Sequence, residues 1–132
     1  MSSDYKFQSE FVIENAWRLI SLQDKDVSSP SFGNFHYAYW RDKTSEFADA
    51  RFQEAGATLG ILSSKNYSQY HGKILPEREI LYRSFAAGLE NLSSLQYSDG
   101  SFDEWYKGER GFAATEFTSI AYGLAALYLN KE

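Results

Sequence analysis

The segment His36-Tyr37-Ala38-Tyr39-Trp40-Arg41-Asp42 carries the densest set of recognition groups in the chain. Aromatic faces can stack on the C–H face of a sugar ring, while a guanidinium and a carboxylate hydrogen-bond its hydroxyls. A second cluster is Asp103-Glu104-Trp105-Tyr106, followed by Glu109-Arg110. Paired carboxylates can supply the acid and base of glycoside hydrolysis, but side chains adjacent in sequence point apart, so Asp103 and Glu104 need not share a site. A third set is Asp49, Arg51, Gln53 and Glu54, in which Asp49 and Gln53 lie four apart on one helix face. That spacing would let them border the interior of a ring-shaped assembly. Plainer roles compete with each of these. Trp40 can anchor a loop over helix ends, Arg41–Asp42 can be a solvated pair worth under about 1 kcal/mol, and Glu109-Arg110 can cap the following helix. The candidate ligand-binding residues are therefore His36, Tyr39, Trp40, Arg41, Asp42, Gln53, Glu54, Trp105 and Tyr106. Asp49, Asp103 and Glu104 are the candidate catalytic carboxylates, and whether the chain is an enzyme stays open.

Four helices must position these groups. Apolar spacing near 3.6 residues predicts the first over about 6–23 (Phe11, Val12, Ala16, Leu19, Ile20) and the second over about 45–63 (Phe52, Ala55, Gly56, Leu59, Leu62). Thr44 or Ser45 can cap the second, with Glu46 facing its exposed amides. Pro76 then opens a third over about 76–95, with the stripe Leu81, Phe85, Leu89 and Leu92. The fourth, about 111–129, uses Phe117, Ile120, Ala121, Leu124, Leu127 and Tyr128. Gly56, Gly60, Gly88 and Gly123 interrupt these patterns at about 1 kcal/mol each relative to Ala. Such costs are sustained where absent side chains let backbones approach, so the second and fourth helices read as closely packed inner helices.

The chain also repeats itself. Leu19-x-x-Leu22-Gln23, a loop, then Ser31-Phe32 and Trp40 matches Leu92-x-x-Leu95-Gln96, a loop, then Ser101-Phe102 and Trp105. Beyond each Trp, Phe47-Ala48, Phe52, Leu59 and Leu62 match Phe112-Ala113, Phe117, Leu124 and Leu127. This register pairs Asp49, Gln53 and Glu54 with Ala114, Thr118 and Ser119, making the polar set peculiar to the first copy. Repeats of this length with two helices each predict a helical-hairpin array. The expected organisation is one all-α domain over 1–132, with repeats at approximately 6–64 and 76–130.

Bulk properties narrow the function classes. The chain has 132 residues, a net charge of -5 and scattered Lys and Arg, which argues against a nucleic-acid surface. It has no cysteine and two histidines, so no metal site or cofactor is expected. Phosphate-loop, HExxH, EF-hand and nucleophile-elbow motifs are absent. With no membrane-length apolar run and no leader-like start, the expectation is a cytoplasmic protein without membrane insertion.

The run Leu92-x-x-Leu95-Gln96-Tyr97-Ser98-Asp99-Gly100-Ser101-Phe102-Asp103-Glu104-Trp105 resembles the loop between paired helices in the α/α-toroid superfamily. Terpene cyclases, prenyltransferase β subunits, six-hairpin glycosidases and the helical domains of polysaccharide lyases share that architecture. The resemblance implies that Gln96 braces the turn, Gly100 permits it, and Phe102 or Trp105 covers the helix ends. Gln23, Ser31-Phe32 and Trp40 would do the same in the first copy. The cyclases' aspartate-rich signature and the prenyltransferases' Asp, Cys and His set are missing, and two hairpins make only a partial toroid.

These features lead to an all-α fold of four main helices as two antiparallel helical hairpins, a partial α/α toroid. The leading expectation is a carbohydrate-associated domain binding a saccharide on its aromatic loop face. The alternatives are a protein-interaction or self-association scaffold, forming a homodimer or joining further hairpins, and a polysaccharide hydrolase or lyase fragment.

Overall fold

The computed structural model describes residues 11–36, 49–64 and 76–130. Among these the protein is all-α, with α1 (Ala16–Ser21), a 3-10 helix (Ala50–Gln53), α2 (Glu54–Leu62), α3 (Arg78–Leu95) and α4 (Phe112–Leu129). Residues 11–14 are helical too. Extended pairing among the described residues is confined to two isolated antiparallel bridges, Gln23 with Phe35 and Phe102 with Gly111.

The helix boundaries follow local chemistry. Asp49 stands in extended conformation ahead of the 3-10 helix, and its carboxylate accepts the Arg51 amide at 2.9 Å. Thr44, Ser45 and Glu46, the expected cap residues, lie outside the described residues. Downstream, α3 starts two residues after Pro76, and an exposed Arg83–Glu79 pair at 2.7 Å lies on its first turns. At α4, Thr115 Oγ1 donates back to the Gly111 carbonyl at 2.8 Å.

Helix α2 is the hub, in contact with both α3 and α4. A Cβ on Gly56 would overlap the Tyr122 hydroxyl, and one on Gly60 would overlap the Phe85 ring. The close approach expected of these glycines is therefore real, and the stacked rings of Phe85 and Tyr122, centroids 5.7 Å apart, sit against it. One apolar cluster gathers Ala57, Phe85, Leu92, Phe102, Ala114, Tyr122 and Ala125. A second gathers Ile13, Ala16, Ile20, Phe35, Leu59, Leu62 and Leu81. Gly123 differs from the other helical glycines: a Cβ there meets nothing within 4 Å.

The stripes of α2 and α3 match the expected ones closely, with Leu59, Leu62, Leu81, Phe85 and Leu92 buried and Leu89 41% exposed. The stripe of α4 does not. Its buried residues are Ala114, Thr118, Tyr122 and Ala125, while Phe117, Ile120, Leu124 and Leu127 are each about half exposed. The reason is the nearness of α2. Small side chains fit against its glycines, and Thr118 and Tyr122 donate to the Ala50 and Gln53 carbonyls at 3.2 and 2.8 Å. Apolar residues surround α4 on all sides, so their size was a poor guide to which face turns inward.

This packing makes opposite predictions for two glycines. Gly56→Ala should cost about 1–3 kcal/mol through overpacking against Tyr122. Gly123→Ala should gain about 0.5–1 kcal/mol by restricting the unfolded chain at an open helical position. Urea unfolding midpoints of the two variants check the pair.

Candidate functional site

The two loops close by the same hydrogen bonds. Gln23 Nε2 donates to the Gly33 carbonyl at 3.1 Å, and Gln96 Nε2 donates to the Gly100 carbonyl at 3.0 Å. Both glycines have positive φ, 84° and 88°, a backbone state that side chains disfavour. Asp24 N then donates to the Asn34 carbonyl at 2.8 Å, as Tyr97 N does to the Ser101 carbonyl at 2.9 Å. The residues equivalent to Gly100-Ser101-Phe102 are therefore Gly33-Asn34-Phe35, three positions beyond the Ser31-Phe32 that sequence matching selects. Phe35 and Phe102 are both buried. Ser31 instead donates its hydroxyl to Asp24 at 2.7 Å.

The following helix shifts in the same way. Phe35 N donates to Gln53 Oε1 at 2.8 Å, and Gln53 Nε2 returns to the Asp49 carbonyl four residues back at 3.1 Å. Phe102 N donates to Thr115 Oγ1 at 3.0 Å, and Thr115 Oγ1 donates to the Gly111 carbonyl. By hydrogen bonding, Thr115 answers to Gln53, in place of the Thr118 that sequence matching assigns. Gln53 is fully buried, and its Nε2 also reaches the Phe35 carbonyl at 3.2 Å. Its amide thus closes the loop instead of bordering an open interior.

Asp103 is the centre of the second loop. Its carboxylate accepts from the Tyr97 hydroxyl at 2.7 Å, from Gly108 N at 2.8 Å and from Arg110 N at 2.8 Å. Its carbonyl accepts Ala50 N at 3.2 Å, tying the loop to the first turn ahead of α2. Burial pushes the Asp103 carboxyl up, but the Arg110 amide, the Tyr97 hydroxyl and the Gly108 amide together hold it below the usual carboxylate range. The same bond to Asp103 raises Tyr97. Arg110 adopts a left-handed backbone, φ 52°, with its guanidinium 4.6 Å from the Tyr97 ring centroid and 2.7 Å from Asp99. Glu109 Oε2 accepts the amides of Glu104 and Trp105 at 3.0 and 2.8 Å, so it closes a turn before α4 begins.

Beside this knot the structure joins two of the sequence clusters. Arg51 NH1 lies 3.2 Å from Glu104 Oε1, its Nε lies 3.9 Å from Glu54, and its guanidinium stands 5.1 Å from the Phe117 ring centroid. Glu54 is raised above the ordinary carboxyl range by burial, with Arg51 opposing and Glu104 adding to the shift. Trp105 and Tyr106 are next to this group in the chain and are 60% and 65% exposed. Trp105 therefore does not cover the helix ends, a place taken by Phe102. His36 is half-buried with Nδ1 3.5 Å from the Asn34 side-chain amide. Tyr39, Trp40, Arg41 and Asp42 lie outside the described residues. Among the described residues, no three His, Asp or Glu side chains gather as metal ligands would.

The arrangement offers a cation between two carboxylates, next in the chain to exposed aromatic residues. Asp49 Oδ1 accepts the Arg51 amide, and both Asp103 oxygens accept backbone amides. The sequence reading assigned no role to Tyr97 or Tyr122, and Glu109, read there as a cap of the following helix, instead accepts the amides of Glu104 and Trp105. The i, i+4 and i, i+5 separations of Glu109 from the amides it accepts were the available signal.

The Asp103 knot sets a pH dependence. A carboxyl held lower in the folded than in the unfolded chain leaves the unfolded chain binding more protons. Its stabilisation is therefore full above the unfolded pKa of about 3.9 and is lost as pH falls through the folded value. Asp24, Asp26 and Asp99 are also lowered and titrate in the same direction, so the comparison must be with Asp103→Asn. Urea unfolding from pH 6 down to about pH 2.5 should show a shallower acid loss in that variant. Asp103→Ala should cost about 2–4 kcal/mol at neutral pH by orphaning two amides and a hydroxyl.

Searches of protein-family models, of curated proteins and of solved structures find no match to this chain.

Proposed function

We propose that this protein is a helical interaction module whose working surface is the outward face of α4. The observation that carries this reading is Phe117, Ile120, Leu124 and Leu127 standing 50%, 52%, 48% and 59% exposed along one helix. Contiguous exposed apolar surface of this kind marks a docking face more often than an idle one. The polar side chains nearest its start, Arg51 with Glu54 and Glu104, supply the charged rim that protein interfaces carry. The partial α/α toroid of two antiparallel hairpins fits this reading, since a partial ring presents helix faces to further elements. The parallel bonds of Gln23–Gly33 and Gln96–Gly100 support it.

Saccharide binding is the second reading, supported by the exposure of Trp105 and Tyr106 beside the Arg51–Glu104 pair. A stacking Trp and a charge-assisted hydroxyl partner are what a sugar needs.

Two measurements separate the readings. If α4 presents a docking face, Leu124→Ser should leave the unfolding free energy within about 1 kcal/mol of the parent, as surface changes do. Tyr122→Ala should cost about 3–5 kcal/mol, as truncation of a core aromatic does. A loss from Leu124→Ser as large as that from Tyr122→Ala would place the stripe inside the fold and end the docking reading. For the saccharide, titration of Trp fluorescence with neutral and acidic oligosaccharides should give a saturable change abolished by Trp105→Ala. An unchanged signal across both classes would dismiss it.

A further inference from the structure

We infer that the α4 face docks a second copy of this chain, with the two α4 helices antiparallel about a two-fold axis level with Tyr122 along the helix. This rests on the interaction-module reading and names its partner. The first argument is spacing. Phe117, Ile120, Leu124 and Leu127 follow intervals of three, four and three, the seam of a helix pair. They lie roughly opposite the buried line Ala114, Thr118, Tyr122 and Ala125, so the seam and the core do not compete for side chains, and Phe117 has a further contact, with the Arg51 guanidinium 5.1 Å from its ring centroid.

The second argument is symmetry. Phe117 and Leu127 are equidistant from Tyr122 along the helix, and so are Ile120 and Leu124. The spacing of the seam therefore reads alike in both directions, and all four positions are apolar. In an antiparallel pair Phe117 meets Leu127 of the other copy and Ile120 meets its Leu124, which is the self-complementarity a two-fold interface requires.

Charge and area complete the case. Glu116 is the only Asp, Glu, Lys or Arg in α4, so no like-charge row opposes self-pairing and none selects another partner. The open surface at Gly123, with nothing near a Cβ, adds no obstacle at the flank. The four seam residues expose on the order of 400 Å² of apolar surface. With the backbone and short flanking side chains of an 18-residue helix, each copy approaches but does not reach the roughly 800 Å² of a standard interface. The pair is thus a reversible dimer that dissociates on dilution. By length and composition α4 could also cross a membrane, a criterion that the core helix of a soluble protein meets equally. The membrane is accordingly an arm of the test.

Sedimentation equilibrium of the full chain over a wide concentration range should show mass rising from the 15.1 kDa chain to twice that value. Ile120→Glu combined with Leu124→Glu should hold the single-chain mass while keeping the parent circular dichroism. Ile120→Lys with Leu124→Glu should restore the doubled mass, because opposite charges then meet across the axis. The chain has no cysteine, so orientation can be read directly. A mixture of Phe117→Cys and Leu127→Cys chains should crosslink under mild oxidation, while each alone should crosslink at least tenfold less. Crosslinking of each variant with itself would overturn the antiparallel arrangement. A single-chain mass at every concentration, with the stripe variants folded, overturns the second copy as occupant and leaves the interaction reading standing. Co-sedimentation with phosphatidylcholine–phosphatidylglycerol vesicles, without a dimer, transfers the face to a membrane. Unfolding of the double-Glu variant together with a single-chain parent mass overturns both readings at once.

Discussion

The Gln53 side chain is the interaction on which the rest of the structure depends. Its amide oxygen takes the Phe35 amide, its nitrogen reaches the Phe35 and Asp49 carbonyls, and its own carbonyl receives the Tyr122 hydroxyl. One residue thus binds the first loop, the start of α2 and the middle of α4. Because its side chain is fully buried, the Phe35 amide and the Phe35 and Asp49 carbonyls would lose this partner without it, and an unsatisfied buried polar group is expensive. Phe35 can plug the interior only because its backbone is satisfied there. The ring then rests where a Cβ on Gly88 or Gly56 would intrude.

That constraint explains why α4 is inside out by residue size. Glycine at 56 and 60 draws neighbouring elements onto α2, so the line facing it is Ala114, Thr118, Tyr122 and Ala125. The hydroxyls of Thr118 and Tyr122 reach carbonyls near the start of α2 that lone alkyl groups would have left unmatched. Bulky Phe117, Ile120, Leu124 and Leu127 have no room on that side. The same packing that holds the fold together displaces the apolar residues outward and creates the surface through which the protein is proposed to act.

Much of this was legible beforehand. Alternating Gly and Ala signalled close helix contact, and the periodicity of Leu81, Phe85 and Leu92 named the buried side of α3. Gln96 bonds the Gly100 carbonyl, Gly100 has positive φ and Phe102 is buried, matching the parts that the resemblance implied for these residues. Two things were hidden. An apolar residue on every face leaves the inward side of α4 undefined by pattern, so size prevailed wrongly over hydrogen-bonding capacity. The loop register was also misread, because Ser31-Phe32 imitates Ser101-Phe102 in residue type while Asn34-Phe35 does so in backbone geometry. Likewise, Asp103 looked like a chemical group until its three donors accounted for both of its oxygens.

The bonds from Thr118 and Tyr122 to Ala50 and Gln53 join residues 68 and 69 apart in the chain. Closing so long a span carries an entropic cost that local turns such as Gln96–Gly100 escape. On a ribosome, the segment up to Leu62 emerges with the Gly56 notch open and no Tyr122 hydroxyl to fill it. Helix α4, made after that segment, is the one that seals the notch, so the order of synthesis runs opposite to the order of dependence. A chain halted before Tyr122 would leave the Gln53 carbonyl without that hydroxyl, while the cluster of Ile13, Phe35, Leu59 and Leu81 draws nothing from α4.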